Sequence, residues 1–329
     1  MRVLYIFRNP AAGYSIAKVF REIVEAVPGA ERIDMPACGG SPLVVWKNLL
    51  YTWRHRKGHD AYHITGDVSY CALALPGRRT VLTVHDMNLL EYYKAGRLKQ
   101  WMLKLFWYYL PMKRVAAVTC ISEKTRQELI KYYPWVAPKA LVVGNPYDSA
   151  MNYCPKAFPE DKPWILHIGT RPNKNLDRVV EALKDVPCHL RVIGPLSGPQ
   201  REMIESGGMD FSVAEGLSDA EIAGEYRRAD IVSFPSLYEG FGMPIIEGFA
   251  IGRVVVTSKL EPMVSVAGGA AILVDPESVD SIREGFLSAI RHPEAREDLI
   301  TKGLEVARNY SVPVIAGQYM EVYNRLLGQ

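Results

Sequence analysis

The chain has 329 residues, of which 48% are apolar and 23% charged. This composition is typical of globular proteins and excludes a disordered chain, which would contain fewer apolar residues. This length exceeds one ordinary hydrophobic core and predicts two domains of about 150 residues each. The net charge is +3, but residues 1–150 carry 21 Lys and Arg against 11 Asp and Glu, whereas residues 151–329 carry 18 against 25. The basic first half indicates an anionic partner, such as a phospholipid surface, a diphosphate-linked acceptor or nucleic acid, with generic solvation as the alternative.

Cysteines and apolar runs bear on the compartment and on metal binding. The five cysteines are scattered without Cys-x2-Cys spacing, which argues against a disulfide framework or a zinc site and fits a reducing environment. The N-terminal apolar run is too short for a signal peptide, and no apolar run reaches membrane-spanning length. We therefore expect a cytoplasmic protein, either free or peripheral at the inner face of the membrane. No Asp-x-Asp pair or other metal-ligand spacing occurs, so we expect no metal and no other cofactor.

Short apolar runs alternate with amphipathic segments along the chain. The first half contains a helical pattern over Ser15–Val27 and predicted strands at Val3–Phe7, Ala61–Thr65, Thr80–Val84, Val115–Ile121 and Leu141–Val143. The second half repeats the rhythm with predicted strands at Trp164–Ile168, Leu190–Ile193, Phe211–Val213, Ile231–Phe234, Val254–Thr257 and Ala271–Val274. Strand-helix alternation of this kind predicts an α/β protein with two Rossmann-like domains, each on a doubly wound, mostly parallel sheet.

The domain boundary is predicted from proline content. Residues 145–163 contain four prolines and no sustained periodicity, which is typical of a linker. We place the boundary near Tyr153, with a first domain over residues 1–153 and a second over 154–310. Ser218 followed by Glu221 predicts a capping box at a helix start in the second domain. The tail from Val312 to Leu327 is amphipathic and predicts a helix.

The stretch FPSLYEGFGMPIIE, residues 234–247, combines a strand exit, a loop with two glycines and a helix start. The glycines let the backbone turn tightly and approach a ligand, and Pro244 suits a first helical turn because its missing N–H would be unpaired there. Such a helix start attracts phosphate. Glu239 and Glu247 lie eight positions apart and can border one pocket, where they would bind hydroxyl groups. The alternative is that they only complement the helix dipole.

Glu-x7-Glu around Gly-Phe-Gly-x-Pro resembles the signature of the retaining glycosyltransferases of family 4, which have the GT-B fold. The resemblance extends through essentially the whole chain. It implies that the second domain binds the donor, that the first binds the acceptor, and that a C-terminal helix over 311–329 crosses back to the first domain. It further implies that Glu239 acts in catalysis, that Glu247 binds the ribose, and that donor contacts come from Gly240, Phe241, Gly242, Met243 and Pro244.

The predicted strand Trp164–Ile168 is followed by GTRPNKN and then by a helix that begins near Leu176. Arg171 and Lys174 are cations beside this helix start, where they oppose the helix dipole unless an anion lies between them. The resemblance implies that both hold the donor diphosphate and act in catalysis, and two solvated surface cations are the alternative. It also places donor contacts at Gly169, Thr170, Gly194 and Val213.

His85 and Asp86 follow the predicted strand Thr80–Val84, at the carboxyl end where ligands gather in parallel sheets. TVHD resembles the family's first-domain motif, whose histidine approaches the donor sugar and its phosphate. This implies a catalytic role for His85, with a buried structural histidine as the alternative. The family usually carries a phosphate-cradling glycine pair after its first strand. Here that turn is NPAAG, which keeps only Gly13 as a candidate donor contact.

The segment Tyr92–Arg114 mixes aromatic and basic residues and has its charges near its ends. It predicts either an amphipathic segment at a membrane interface or a core helix with basic flanks, because Trp101, Leu105 and Tyr108 share one helical face. Together with the basic first half, it indicates peripheral contact with an anionic membrane surface as an alternative to burial in the core.

The residues and the resemblance together predict a retaining glycosyltransferase that moves a hexose from a UDP- or GDP-linked donor to a glycan or lipid-linked acceptor. We expect it to act without a metal in cell-surface polysaccharide or glycoconjugate synthesis, and we expect no nucleic acid partner. Arg171, Lys174 and helix amides would stabilise the leaving group. Two alternatives stay open: a nucleotide-sugar epimerase of the same architecture, and a non-catalytic nucleotide-sugar-binding protein, which would not need both Glu239 and Glu247.

Overall fold

A computed structural model of the chain describes residues 1–13, 15–87, 96–159 and 161–328, and only the backbone of Ser15 and of residues 97–99. The chain divides into two compact units. One is Met1–Pro146 together with Val312–Gln329, and the other is Tyr147–Ser311. The division falls between Pro146 and Tyr147, inside the proline-containing stretch 145–163. Residues 92–95 of the predicted membrane or core segment lie outside the described residues.

Within the described residues, the first unit is built on a six-stranded sheet whose paired strands are all parallel. The strands are β1 (Val3–Phe7), β2 (Ala30–Asp34), β3 (Ala61–Ile64), β4 (Thr80–Val84), β5 (Ala117–Cys120) and β6 (Ala140–Val142). Their order across the sheet is β2-β1-β3-β4-β5-β6. Strands β1, β3 and β4 are buried along their whole length, as expected for the centre of a parallel sheet with both faces covered.

Helices flank this sheet. In the described part of residues 1–146 they are α1 (Ser15–Ala26), α2 (Pro42–His55), α3 (Arg97–Leu103), α4 (Leu110–Arg114) and α5 (Glu123–Tyr132). A π-helical segment, Lys104–Tyr109, joins α3 to α4, and 3-10 turns lie at Pro10–Ala12, Ser69–Ala74, Gly77–Arg79 and Pro134–Lys139. Helix starts follow their caps: Ser41 accepts from Val44 N at the start of α2, and Ser122 accepts from Thr125 N at the start of α5.

The second unit repeats the architecture with a second six-stranded sheet among the residues described. Its strands are β7 (Trp164–Ile168), β8 (His189–Ile193), β9 (Phe211–Ala214), β10 (Ile231–Phe234), β11 (Val254–Ser258) and β12 (Ile272–Val274), in the order β12-β11-β10-β7-β8-β9 and all parallel. Its helices are α6 (Leu176–Leu183), α7 (Gly198–Ser206), α8 (Asp219–Arg228), α9 (Met243–Ile251), α10 (Met263–Ala267), α11 (Val279–Arg291) and α12 (Pro293–Arg308). A 3-10 turn at Pro172–Lys174 precedes α6.

The predicted α/β architecture with two doubly wound parallel sheets is confirmed. Four predicted strands coincide with the observed ones at both ends, namely β1, β4, β7 and β10. The predicted capping box of Ser218 and Glu221 is present at the start of α8. Strand β2 was not predicted, because it is a half-exposed edge strand of sequence AERID and lacks the apolar run that marks a buried strand.

Each unit has a hydrophobic core of its own. In the first unit, the core joins the sheet residues Ile6, Ile64, Leu82 and Val118 to helix and turn residues around them. In the second unit, Ile165, Val192, Val256 and Phe286 belong to the corresponding cluster. Helices on the sheet faces therefore bury the strands and leave the loops at their carboxyl ends to carry polar residues.

The C-terminal helix α13 (Val312–Leu327) belongs to the first unit and packs on α1. Tyr323 Oη donates to Tyr5 Oη at 2.7 Å and lies 2.6 Å from His63 Nδ1, and His63 Nε2 lies 2.7 Å from Thr83 Oγ1. These four side chains are buried. A hydrogen-bonded chain therefore fastens α13 to β1, β3 and β4. The predicted return of the C-terminal helix to the first domain is confirmed.

Candidate active site

The strand order of the second unit shows where a ligand would bind. From β7 the sheet grows one way through β8 and β9 and the other way through β10, β11 and β12, so the order reverses between β7 and β10. In open parallel sheets, ligands bind at such a reversal, beyond the carboxyl ends of the strands. Residues 169–175 follow β7 and residues 235–242 follow β10 at this point. These two loops contain most of the predicted donor-site residues.

An ion pair between two predicted site residues joins these loops. Lys174 Nζ lies 2.5 Å from Glu239 Oε1, and the two side chains are 21% and 15% exposed. Asn173 supports the pair, because its Nδ2 donates to Glu239 Oε1 at 3.3 Å and to Tyr238 O at 3.1 Å. The Asn173 carbonyl also accepts from Leu237 N at 2.8 Å. The sequence predicts an anion opposite Lys174, and in this structure the Glu239 carboxylate takes that position.

Gly169 allows Lys174 to fold back over the end of β7. Its φ of 92° lies in the left-handed region, and a Cβ there would lie 2.9 Å from Lys174 Cγ. The Lys174 ammonium lies 4.9 Å from the centroid of the Phe234 ring at the end of β10, which is a cation–π contact. On β7, burial and the Lys174 charge lower the pKa of His167 to about 3. His167 is therefore neutral and adds no positive charge to that of Lys174.

Hydrogen bonds to backbone atoms fasten the exits of β7 and β8 to each other. Thr170 Oγ1 donates to Pro195 O at 2.5 Å, and Gln200 Nε2 donates to Thr170 O at 3.0 Å. Gly194, with φ 129°, directly follows β8 and donates its N–H to Ala214 O at 2.8 Å. The predicted donor contacts at Thr170 and Gly194 therefore lie in loops that are hydrogen-bonded to each other. These loops lie next to the switch point, the place between β7 and β10 where the strand order reverses.

Three other predicted donor-site residues have different surroundings. Arg171 is exposed at the start of the turn that ends in Lys174. Val213 packs on the hydrophobic core of the second unit. Phe241 is 4% exposed, with its ring edge-on to Tyr310 at 5.5 Å. The side chains of Val213, on β9, and of Phe241, in the loop after β10, are therefore engaged in packing.

Helix α9 starts directly after the loop with two glycines. Gly242 is its N-cap, with a φ of 116° that favours glycine, and Pro244 lies in the first turn. At Gly248, a Cβ would lie 2.9 Å from Val255 Cγ2 and 3.0 Å from Val232 Cγ2. Helix α9 therefore packs closely on β10 and β11. This contact places the helix N-terminus, with its partial positive charge, after the end of β10.

A tyrosine from another helix holds Glu247. Tyr226 Oη, on α8, donates to Glu247 Oε2 at 2.5 Å, and the Tyr226 side chain is fully buried. Burial and the Glu247 charge raise the pKa of Tyr226 well above its usual value, so the phenol keeps its proton and donates. The buried Arg253 guanidinium donates to Tyr226 O at 3.2 Å and to Arg227 O at 2.9 Å. The end of α8 is thus fixed, and the Glu247 carboxylate has an oriented donor.

His85 lies directly after β4 in the first unit. Its Nε2 lies 2.6 Å from Thr65 O, and because a carbonyl oxygen only accepts, Nε2 carries the proton. Burial lowers the pKa of His85, against the opposing effect of Asp67 and Asp86. The ring is therefore neutral near pH 7, with Nδ1 as its acceptor. A Cβ at Gly66 would lie 3.1 Å from His85 Cδ2, so this glycine allows the close approach.

A second charged pair lies where the strand order of the first unit reverses, between β1 and β3. Arg8 pairs with Asp67, and the two side chains are 13% and 59% exposed. Gly13 has a φ of 124°, and a Cβ there would lie 2.9 Å from Arg8 Nη2. Gly13, a predicted donor contact, therefore lies beside a cation that was not predicted from the sequence.

The structure brings Lys174 and Glu239 into direct contact and places Glu247 on α9, while His85 and Gly13 belong to the first unit. Four residues that contact predicted site residues or lie beside them were not predicted from the sequence: Asn173, Tyr226, Arg8 and Asp67. Asn173 had a signal, because it lies inside the predicted loop. Tyr226 had none, because its bond to Glu247 depends on how α8 packs on α9. In the described part of the chain, no group of three or more His, Cys, Asp or Glu side chains is placed to hold a metal ion.

Two family models match the chain, one in each half. The family model described as glycosyl transferases group 1 matches residues 155–306, and the model described as Glycosyltransferase Family 4 matches residues 9–150. The chain belongs to the group 1 glycosyltransferases with the GT-B fold. The predicted family is therefore confirmed. Family membership and similarity to curated glycosyltransferases support glycosyltransferase activity in polysaccharide or glycoconjugate synthesis.

Similar proteins include two named enzymes and one solved complex. O-antigen chain mannosyltransferase B of Escherichia coli is 27% identical over 280 residues, which are 77% of this chain and 72% of that protein. The GDP-mannose:cellobiosyl-diphosphopolyprenol alpha-mannosyltransferase of Komagataeibacter xylinus is 29% identical over 120 residues, 36% of this chain and only 30% of that protein. The structure of Anabaena HepE in complex with UDP and glucose superposes with a TM-score of 0.80 at 15% identity, over 99% of this chain and 100% of HepE. The likeness to HepE shows the fold.

Proposed function

We propose that this glycosyltransferase takes a hexose from a nucleoside diphosphate donor and transfers it, with retention of configuration and without a metal, to a glycan or lipid-linked acceptor. The donor binds at the β7/β10 switch point of the second unit, and the acceptor binds to the first unit. The observation that carries the proposal is the Lys174–Glu239 pair between the two loops that leave this switch point. The start of α9 adds a second source of positive potential there.

Donor binding would rearrange this pair. The donor diphosphate and the Glu239 carboxylate are both anions, so they compete for the Lys174 ammonium. When the diphosphate takes the ammonium, the carboxylate becomes free to accept hydrogen bonds from the sugar hydroxyls. In the absence of donor, each of these two mostly buried charges neutralises the other. Either charge would destabilise the folded protein if it were buried without a partner. Arg171, exposed on the same turn, adds a second cation for the leaving diphosphate.

Glu247 is proposed to bind the donor ribose. A carboxylate accepts several hydrogen bonds, which suits two neighbouring hydroxyl groups. Tyr226 orients this carboxylate through the bond of 2.5 Å. The relatives' names support mannose as the first sugar to test, since both are mannosyltransferases and one uses GDP-mannose. The HepE complex contains UDP, so UDP-linked sugars are the second set.

Incubation of the purified protein with UDP- and GDP-linked sugars tests the proposal. Slow release of free sugar and nucleoside diphosphate is expected of a transferase without its acceptor. An isomerised sugar would show an epimerase, and binding without turnover would show a sensor. The same assay in EDTA, with and without added Mg²⁺ or Mn²⁺, tests metal independence. We expect turnover to persist in EDTA. Complete loss of turnover that added Mg²⁺ or Mn²⁺ restores would contradict metal independence.

Two glutamine variants separate the roles of the glutamates. Glu247→Gln is expected to weaken binding of the free nucleoside diphosphate, because an amide replaces one acceptor by a donor. Glu239→Gln is expected not to weaken that binding, because it removes the anion that competes with the diphosphate for Lys174, and to impair turnover. Glu181→Gln, at an exposed position on α6, is the matched control and should change neither. Equal nucleotide affinity for wild type and Glu247→Gln in calorimetry would remove the ribose assignment.

A further inference from the structure

Helix α2 presents large apolar side chains to solvent. Leu43, Trp46 and Trp53 are 75%, 61% and 51% exposed. With the half-buried Leu50, they follow one another at spacings of three and four residues, so they lie on one face of the helix. A surface helix normally turns its apolar face toward the core. Helix α2 therefore carries an apolar face that the fold of its own unit does not use.

The opposite face of α2 shows why the helix cannot rotate about its axis to bury these apolar side chains. Asn48 and Thr52 are completely buried. Asn48 Nδ2 donates to Tyr70 Oη at 2.8 Å and to Ala37 O at 3.0 Å, and Asn48 Oδ1 accepts from Ala37 N at 3.1 Å. Thr52 Oγ1 donates to Asn48 O at 2.8 Å. Rotation would break these buried bonds, so the outward apolar face is fixed by the fold.

A second set of exposed apolar side chains lies on an adjoining element. Trp101 and Met102 on α3 and Tyr109 at the end of the π-helical segment are 59%, 43% and 39% exposed. The Trp107 ring of that segment lies 3.7 Å from where a Cβ of Gly40 would be, just before α2. Helix α2 and the π-helical segment also both pack on the Ser69–Ala74 turn. The two exposed sets therefore come from neighbouring parts of the first unit.

Charge identifies the partner of these elements. Residues 42–57 contain four Lys or Arg, residues 97–114 contain five, and neither stretch contains an Asp or Glu. Among them, Lys47, Arg54, Lys57 and Lys104 are exposed. Aromatic and aliphatic side chains in two stretches that contain Lys and Arg but no Asp or Glu fit an apolar layer beneath a negatively charged surface, which is the structure of an anionic bilayer. Nucleic acid supplies the negative charge but no apolar layer for Leu43 and Trp46.

We propose that α2, together with the exposed side chains of residues 101–109, docks this protein on an anionic phospholipid bilayer. We name this surface the amphipathic face. Its Trp and Leu side chains enter the boundary between head groups and acyl chains, and its Lys and Arg side chains contact lipid phosphates. The described helices include none with the length and apolar character to cross a bilayer. The proposed contact is at the bilayer surface.

The amphipathic face is connected to the strand exits of the first unit. Trp107 Nε1 donates to Asp67 O at 2.9 Å, and Asp67 follows β3 and pairs with Arg8 after β1. Docking would hold these exits near the bilayer, where a lipid-linked acceptor would be presented. This last step rests on the proposed function, whereas docking itself does not.

Cosedimentation of the full chain with vesicles tests the proposal. We expect binding to phosphatidylcholine vesicles that contain phosphatidylglycerol, no binding to phosphatidylcholine alone, and weaker binding as salt rises. The double variant Trp46→Ala/Trp53→Ala should weaken vesicle binding about tenfold or more, because it removes the largest apolar groups. Lys47→Glu/Arg54→Glu should weaken it roughly fivefold for each cation removed.

Matched variants in the second unit control for general effects. Leu260→Ala, at a position that is 40% exposed, and Lys184→Glu/Arg291→Glu should bind vesicles as the wild type does. Nucleotide-sugar turnover in solution should be unchanged in all these variants, so a failure of docking and a failure of the proposed function are told apart. Equal binding of neutral vesicles, or wild-type binding by the tryptophan variant, would overturn the proposal. Self-association of the protein through the amphipathic face, without binding to vesicles, would also overturn the proposal.

Discussion

Tyr226 and Glu247 meet in a hydrogen bond of 2.5 Å that links two helices of the second unit. Tyr226→Phe removes the donor but keeps the ring that fills the buried space. Because a hydrogen bond to a charged group contributes about 1.5–3 kcal/mol and water can replace part of it, we expect nucleoside diphosphate affinity to fall roughly three- to tenfold. Calorimetry with the free nucleoside diphosphate measures this change.

A ligand without ribose hydroxyls separates positioning by Tyr226 from general damage. Wild type and Tyr226→Phe should bind a 2′,3′-dideoxynucleoside diphosphate equally, because Glu247 has no hydroxyl partner in that ligand. Tyr147→Phe, in the same unit, is the matched control and should change the affinity for neither ligand. If Tyr226→Phe weakened both ligands equally, Tyr226 would be a packing residue only.

Lys174 is expected to recognise the diphosphate and not the nucleoside. Lys174→Ala should lower diphosphate affinity roughly ten- to a hundredfold, in line with about 1.5–3 kcal/mol for a hydrogen bond to a charged group. Nucleoside affinity should stay close to that of the wild type. Lys184→Ala, at the exposed end of α6, is the control and should bind both ligands normally. Equal losses for nucleoside and diphosphate would make Lys174 a structural residue.

The sequence could indicate which residues belong to the switch-point loops but not which of them pair. Spacing and resemblance placed Lys174 and Glu239 in loops that the strand order then brought together. The contact of Tyr226 with Glu247 and that of Arg8 with Asp67 depend on tertiary packing between segments far apart in the chain. A pattern read along one segment carries no information on such contacts.

At the scale of secondary structure elements, the close packing of α9 on the sheet depends on Gly248. Gly248→Ala would put a Cβ within 3.0 Å of Val232 and Val255, so we expect a loss of about 1–3 kcal/mol in the free energy of unfolding. At Gly224, inside α8, a Cβ would meet no atom within 4 Å outside its own helix backbone, and Gly224→Ala should be neutral or stabilising by up to ~1 kcal/mol. Urea unfolding compares the two. Equal effects would contradict the close contact at Gly248.

The π-helical segment explains why Trp101 and Tyr108 do not lie on the same face of one helix, although the sequence periodicity predicts that they do. Trp101, Leu105 and Tyr108 were expected on one face of a regular helix, yet Trp101 is 59% exposed and Tyr108 is 8% exposed. A π-helical stretch contains an extra residue per turn, so side chains before and after it change their relative direction. Periodicity of 3.6 residues cannot anticipate this shift. It turns Trp101 outward, into the amphipathic face, while Tyr108 stays in the core.

At the scale of the whole molecule, each unit contains a fully buried histidine on a central strand. Burial, followed by the effect of nearby His85, lowers the pKa of His63 in the first unit to about 3. Burial, followed by the charge of Lys174, lowers the pKa of His167 in the second unit to about 3. Both histidines are therefore neutral in the folded protein. In the unfolded chain they would titrate near their usual pKa of about 6.5.

This difference predicts a loss of stability in acid for both units. A histidine with a lowered folded-state pKa contributes stability that is fully present above about pH 6.5 and declines as the pH falls toward its folded pKa. Each buried histidine should cost about 1.4 kcal/mol of unfolding free energy per pH unit in this range, or about 2 kcal/mol by pH 5. Above about pH 4.5, most carboxylates stay ionised, so the histidines dominate the change.

Urea unfolding of the wild type at pH 7.5, 6.5 and 5 measures this dependence, since these values bracket the usual histidine pKa of about 6.5. His63→Gln and His167→Gln should each show a shallower decline between pH 6.5 and pH 5, because the titrating group is gone. His292→Gln, at an exposed position, should follow the wild-type curve. If a buried-site variant fails to fold, the wild-type curve still decides. Equal stability at pH 7.5 and pH 5 would show that neither buried histidine is held neutral by the fold.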